Sequence, residues 1–177
     1  MRLTNHTVLV TGGATGIGLA IVRALLEIGN RVAICGRRAD ALDAAVAAHP
    51  NLIAFRCDLG NPADLQRLAR EVEGSLGGLS LLVNNAGVQL NYDFTRETPE
   101  DLLHNIDAEI AVNVTAVAKT TALFLPLLRR AGGAAIVNVS SGLALVPKKS
   151  APIYCASKAA VHLFTKSLRW QVADSGL

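Results

Sequence analysis

The chain has 177 residues, room for one domain with a sizeable core. With 51% hydrophobic, 18% charged and 4% aromatic residues it is not a disordered chain, and Ala, Val, Leu and Ile must supply its packing. The net charge of +3 gives no support to a nucleic-acid partner.

Cys35, Cys57 and Cys155 lie far apart without a CxxC or Cys/His cluster, which argues against a disulfide framework or a metal site. His6, His49, His104 and His162 are scattered and read as surface or core residues. No uninterrupted apolar run approaches the roughly 18 residues of a membrane span; the densest, 122–128, contains Pro126. The first apolar stretch breaks at Thr11-Gly12-Gly13, so it lacks a signal-peptide core. The expectation is a cytoplasmic protein with no membrane or nucleic-acid partner.

In chain order, continuous hydrophobic runs at 7–11, 31–36, 52–57, 79–84 and 134–140 read as strands covered on both faces. Segments of helical period alternate with them. Ile17, Ile21, Ala24, Leu25 and Ile28 mark the face of a first helix, an Ala-rich helix follows at 39–48, and Leu65, Leu68, Ala69 and Val72 mark a third after the start signal Asn61-Pro62. Two long helices are expected at 99–130 and 151–175, with Gly176 as the cap of the last. This alternation predicts an α/β fold, a doubly wound parallel sheet with helices on both faces.

Strand 7–11 runs through Thr11-Gly12-Gly13-Ala14-Thr15-Gly16-Ile17-Gly18 into a helix, the setting in which a Gly-rich turn carries meaning. Gly12 permits the turn, Gly16 lets the backbone approach a pyrophosphate, and Gly18 lets helix and strand pack closely. Thr15 and Ile17 belong to the same cradle, whose N–H groups and helix end favour phosphates. At the end of the second strand an acid would select NAD and an Arg would accommodate the 2′-phosphate of NADP. That place reads Gly36-Arg37-Arg38, with no carboxylate before Asp40, so NADP(H) is preferred and NAD(H) is the lesser option.

Tyr154 and Lys158 stand at i and i+4, on one face of a helix. An ammonium one turn from a phenol favours the phenolate, which suits a general acid/base. With these motifs in order, the chain resembles the short-chain dehydrogenase/reductases over its whole length. Thr11 to Gly18 matches the family's TGxxxGxG, Asp58, followed by Leu59, matches the acid that holds the adenine, and Asn84-Asn85-Ala86-Gly87 matches its NNAG segment. Asn113 matches the catalytic Asn, and Ser141, thirteen positions before Tyr154, matches the catalytic Ser.

The resemblance implies a Rossmann-like sheet of order 3-2-1-4-5 and a dinucleotide held by Gly12, Thr15, Gly16, Ile17, Gly18, Arg37, Arg38, Asp58, Leu59, Asn85, Ala86, Gly87, Tyr154 and Lys158. It implies that Tyr154 exchanges a proton with a small-molecule carbonyl or alcohol and that Ser141 bonds the same oxygen. Lys158 would support the phenolate and hold the nicotinamide ribose, and Asn113 would anchor a water linking Lys158 to solvent. Asn84 and Asn85 also suit a simple turn after a strand, Ser140 reads as a structural neighbour, and Ser157 suits either a plain helix position or a cofactor-side contact.

The family continues with further strands and a substrate lid, so 1–177 is expected to be a single domain lacking them, with its fifth strand a bare edge. The expected function is an NADP(H)-dependent oxidoreductase. The alternative is a truncated nucleotide-binding or interaction fragment without turnover. Ile110, Val114, Val117, Leu123, Val161, Leu163, Phe164 and Leu168 exceed what one sheet face needs, and in the family the corresponding helices pair subunits, so a homodimer or homotetramer is expected. Leu143, Val146 and the loop 89–94 are candidate substrate walls.

Overall fold

In the computed structural model, which describes residues 3–177, the hydrophobic runs become five parallel strands. They are β1 (Thr7–Thr11), β2 (Arg31–Gly36), β3 (Ile53–Arg56), β4 (Leu81–Asn84) and β5 (Ala135–Asn138), ordered β3-β2-β1-β4-β5. Central Val8 registers with Val32 on one side and Leu81 on the other, and Val83 with Val137. The last three strands are shorter than the hydrophobic runs that announce them. Leu52 and Leu79 are buried yet lie outside the ladder, packing as lead-in residues.

The helices are α1 (Gly16–Glu27), α2 (Ala39–Ala48), α3 (Pro62–Leu76), α4 (Pro99–Ile110), α5 (Ala116–Ala131) and α6 (Pro152–Gln171). Alternate strand residues feed two cores. Val8, Val10, Val32 and Ile34 pack with Val22 and Leu25 of α1 and Leu42 and Ala45 of α2. Leu9, Ala33 and Phe55 face the other way, toward Leu65, Leu68 and Val72 of α3 and Phe124 and Leu128 of α5. α6 packs against β5 and α4.

Local chemistry fixes the helix ends. Asn61 accepts from Ala63 N at 2.9 Å ahead of Pro62, and Gly77, at φ +69°, ends α3 in the left-handed region. The expected face of α1 is corrected: Ile17 is 70% exposed and Ile28 lies outside the helix, while Gly18, Val22 and Leu25 are its buried residues. The Gly12 carbonyl, in the turn after β1, approaches too closely for a side chain at the first of these positions, so a glycine takes the place where periodicity looks for an apolar side chain.

The long helix expected at 99–130 is helical throughout, but a π turn over Ala111–Thr115 separates α4 from α5. The span Pro99–Ala131 is long and apolar enough, by length and composition, to cross a membrane. Here Phe124, Leu127 and Leu128 join the sheet core, and Glu109, Asn113, Thr120 and Thr121 are buried polar residues along the same span. The final helix also stops earlier than expected, at Gln171. Gly176 has φ +78° but does not cap it; its carbonyl accepts from Gly133 N at 3.1 Å, tying the last turn to the α5–β5 connection. Among the apolar positions noted on the long helices, Val117 and Val161 are buried within the chain, whereas Leu163 is 65% exposed.

Candidate active site

Parallel strands all end on one side, and the segments just past their carboxyl ends enclose a cavity of about 450 Å³. The turn after β1 forms its floor. Gly12 sits at φ +64°, and a Cβ on Gly18 would stand 2.2 Å from the Gly12 carbonyl oxygen, so helix and turn meet with no room for a side chain. Gly16, at φ +55°, has nothing within 4 Å of where a Cβ would project, which leaves open backbone at the start of α1. Thr11 binds this turn to the one after β4: its Oγ1 accepts from Asn85 N and Ala86 N, each at 3.0 Å. Asn85 Nδ2 donates back to Thr11 O at 2.9 Å. Thr11 is a site-shaping residue that a search for glycines passes over, although its place directly before Gly12 is the signal.

At the far end of the cavity stand Arg37 and Arg38, both exposed, with Arg38 Nη2 donating to Thr15 Oγ1 at 3.2 Å. Asp40 lies in the first turn of α2, beyond the strand end. Asp58 accepts from Gly60 N through Oδ1 at 3.0 Å, which shapes the loop and leaves its second oxygen for other donors. Cys35 and Cys57 also line this end. Burial pushes the Cys35 thiol up, and burial followed by Asp64 pushes Cys57 up to about 12, so both present neutral, weakly polar walls.

The opposite end is built by β5, the π turn and α6. Tyr154 and Lys158 both line it, with Lys158 Nζ 5.7 Å from the centre of the Tyr154 ring. Lys158 is only 4% exposed, and burial lowers its pKa. One of its three donors goes to Val139 O at 2.9 Å. Gly87 packs closely here: a Cβ would lie 3.3 Å from both Lys158 Nζ and Asn113 Oδ1, so those groups would have to give way by a few tenths of an ångström.

Asn113, on the π turn, is fully buried and does not line the cavity. Its amide accepts from Val88 N at 2.9 Å and donates to Val88 O at 2.8 Å and to Ser157 Oγ at 3.0 Å. Ser157 in turn donates to Tyr154 O at 2.8 Å, so its hydroxyl serves the helix rather than the cavity. Ser141 lies one residue beyond the lining, where its Oγ accepts from Leu143 N at 3.1 Å and starts a short 3-10 turn. Its own hydroxyl proton is not consumed by that bond. Ser140 does line the cavity, yet its hydroxyl donates to Lys158 O at 3.0 Å. The remaining cofactor-side residues expected from the sequence, Ile17, Leu59, Ala86 and Gly87 among them, line the same cavity. Val88, Val112 and Val139 line it too; the first two stand one residue from an expected position, Gly87 and Asn113, and Val139 two residues from Ser141.

Comparison with known proteins agrees with this geometry. The chain is 43% identical, over its full length, to the uncharacterized oxidoreductase DltE of Bacillus subtilis (strain 168), covering 69% of that protein. It superimposes with a TM-score of 0.91 on L-sorbose reductase from Gluconobacter frateurii, solved with NADPH and L-sorbose, at 27% identity, covering 99% of this chain and 67% of that one. For RhlG of Pseudomonas aeruginosa, solved with NADP, the TM-score is 0.89 at 32% identity, covering 99% and 70%. The chain thus spans about two thirds of the length of these relatives. The short chain dehydrogenase profile matches residues 6–177, and with a relative this similar along the whole sequence it follows that the chain belongs to the short-chain dehydrogenase family of oxidoreductases.

Proposed function

We propose that the chain is an NADP(H)-dependent oxidoreductase that interconverts a carbonyl and an alcohol by hydride transfer, with Tyr154 as general acid/base. The observation that carries this reading is that one cavity extends from Arg37 and Arg38 to Tyr154 and Lys158, so a single dinucleotide would span both ends. The fit is supported by the open backbone at Gly16 and by the absence of a carboxylate between Gly36 and Ala39. The NADP and NADPH complexes of the two structural relatives point the same way.

In this reading the backbone from Gly12 to Gly18, with Thr15 and Ile17, holds the pyrophosphate, Arg37 and Arg38 hold the 2′-phosphate, and Asp58 with Leu59 holds the adenine. Asn85, Ala86 and Gly87 form the wall beside the nicotinamide ribose, where Lys158 has two donors left to give. A bound nicotinamide cofactor supplies or takes up the hydride. Tyr154 gives its phenolic proton to the carbonyl oxygen in reduction and removes it from the alcohol in oxidation. The Lys158 ammonium stands beside the ring, and the Ser141 hydroxyl donates to the same substrate oxygen. Asn113 acts by position, holding Val88 and Ser157 on either side of the site; a water link from Lys158 would use the second lone pair of its Oδ1.

The reading is tested by NADPH consumption against a panel of carbonyl compounds, run beside calorimetric titration with NADPH. Tyr154→Phe is expected to lower turnover by about 10²- to 10⁴-fold while NADPH binding stays nearly intact. Binding without any turnover by the unmodified chain would favour a nucleotide-binding fragment instead.

A further inference from the structure

The loop after β4 is held at alternate residues by one face of the helix that follows it. Asn113 grips Val88, and one turn earlier Glu109 accepts from Leu90 N through Oε1 at 2.8 Å and from the Tyr92 hydroxyl through Oε2 at 3.0 Å. Glu109 is 0% exposed and Tyr92 5%, and among the described residues no ion pair engages the Glu109 carboxylate. A buried acid without a cation depends on its hydrogen bonds, so the two loop donors are what satisfy it. Burial first, and the Glu109 carboxylate next, push the Tyr92 phenol up, which keeps it a donor.

Tyr92 carries the hold onward. Its backbone N donates to Ser150 O at 3.1 Å, in the segment that leads into α6, and its ring lies 5.9 Å from that of Phe94. Tyr92, Phe94 and Ser150 line a second groove of about 660 Å³ together with Asn91, Lys148 and Pro152. In sequence, Asn91 and Pro152 stand two residues from Gln89 and Tyr154, which line the first cavity.

The geometry points to Glu109 as a positioning residue: through Leu90 and Tyr92 it fixes the wall of a substrate groove beside Tyr154, and so governs affinity for the carbonyl substrate without touching the dinucleotide end. This rests on the oxidoreductase reading above. Among the described residues the hydrogen bonds of the Glu109 carboxylate go to Leu90 and Tyr92 and no ion pair joins it to the residues that would hold the cofactor, so its removal separates the two affinities.

The test compares the unmodified chain with Glu109→Ala, Glu109→Gln and Tyr92→Phe. Three quantities are read: the NADPH Kd by calorimetry, KM and kcat with the carbonyl that the panel identifies, and amide hydrogen exchange at Leu90 and Tyr92. Glu109→Ala is expected to raise the substrate KM about tenfold or more with the NADPH Kd within about twofold, and to speed exchange at both amides. Tyr92→Phe gives a smaller change in the same direction. Glu109→Gln recovers most of the KM, because it keeps an acceptor for Leu90 N and offers its amide to the Tyr92 oxygen. An unchanged KM in Glu109→Ala, or a KM and an NADPH Kd that rise together, overturns the assignment. If Glu109→Ala does not fold, Tyr92→Phe decides by the same criteria. A chain that binds NADPH but turns over no carbonyl refutes the oxidoreductase reading instead; exchange then decides the hold on the loop, with faster exchange upholding it and unchanged exchange overturning it.

Discussion

Arg38 reaches across the cavity end to Thr15, while among the described residues no ion pair or side-chain hydrogen bond engages the Arg37 guanidinium beside it. Two guanidinium groups with donors to spare, and no carboxylate on that strand end, favour a phosphate over a bare ribose hydroxyl. NADPH is therefore expected to bind more tightly than NADH, and Arg37→Asp to reverse the order, one charge-assisted contact being worth about 1.5–3 kcal/mol. Parallel calorimetric titrations with both nucleotides decide it, and equal affinities for the unmodified chain would refute the NADP(H) assignment. Lys158 makes a different statement, about stability. Burial lowers its pKa below the ordinary 10.5, so between the lowered folded value and 10.5 the unfolded chain binds more protons than the folded one. Stability from this group consequently rises with pH across that window, and the penalty for burying the ammonium is fully present below it. Lys158→Met removes the penalty and is expected to flatten that alkaline rise. Melting temperatures of both proteins across the alkaline range give the measurement; a difference between them that does not narrow with rising pH would count against burial as the cause.

At the scale of elements, a buried polar chain joins the sheet to its helices. Thr120 Oγ1 of α5 donates to Asn84 Oδ1 at 2.7 Å, Asn84 Nδ2 donates to Asn138 Oδ1 at 2.8 Å, and Asn138 Nδ2 donates to Thr165 Oγ1 of α6 at 2.9 Å. Asn84 is the only link between α5 and β5 in this chain of bonds, and it is 3% exposed. Asn84→Ala is expected to cost about 1–3 kcal/mol, since it strands polar groups on both sides. Thr165→Val, at the half-buried end, is expected to cost less, about 0.5–1.5 kcal/mol; urea unfolding of the two variants checks the order. The sequence announces Asn84 as part of a motif but not this role, because its partners come from two separate elements, α5 and β5. The same limit explains the other differences. β1 and β2 were legible residue for residue, since their hydrophobic runs coincide with the ladder, whereas 52–57 and 79–84 include buried residues that pack without pairing. The π turn at Ala111–Thr115 leaves no mark in composition, and Glu109 reads as one more helical acid until the fold sets Leu90 and Tyr92 against it. The glycine turn, the Arg pair and the Tyr154/Lys158 spacing were legible because each is a local pattern with a local physical reason, and the parallel sheet brings their strand ends together.

At the scale of the whole molecule, apolar side chains stand exposed on two surfaces, among others, of the described residues. One is the outer edge of β5, where Val137 is 45% exposed on a strand that pairs only with β4. The other is a stripe on α6, where Leu163 and Trp170, 65% and 79% exposed, stand two helical turns apart, with Leu103 of the neighbouring α4 at 65%. A second copy of the chain is the expected occupant of the helical stripe. It would bury both large α6 side chains at once, each worth about 1.5–3 kcal/mol when removed from water. The paired substitution Leu163→Glu and Trp170→Glu should therefore weaken dimerisation by about a hundredfold or more. Val137→Lys serves as the contrast, because a lysine on an edge strand opposes strand addition while leaving the helical stripe intact. Sedimentation velocity over a range of concentrations distinguishes the two surfaces. Dimers that persist in Val137→Lys and vanish in the α6 double variant place the contact on the helices; the reverse pattern moves it to the sheet edge, and an unmodified chain that stays monomeric at every concentration removes the dimer altogether.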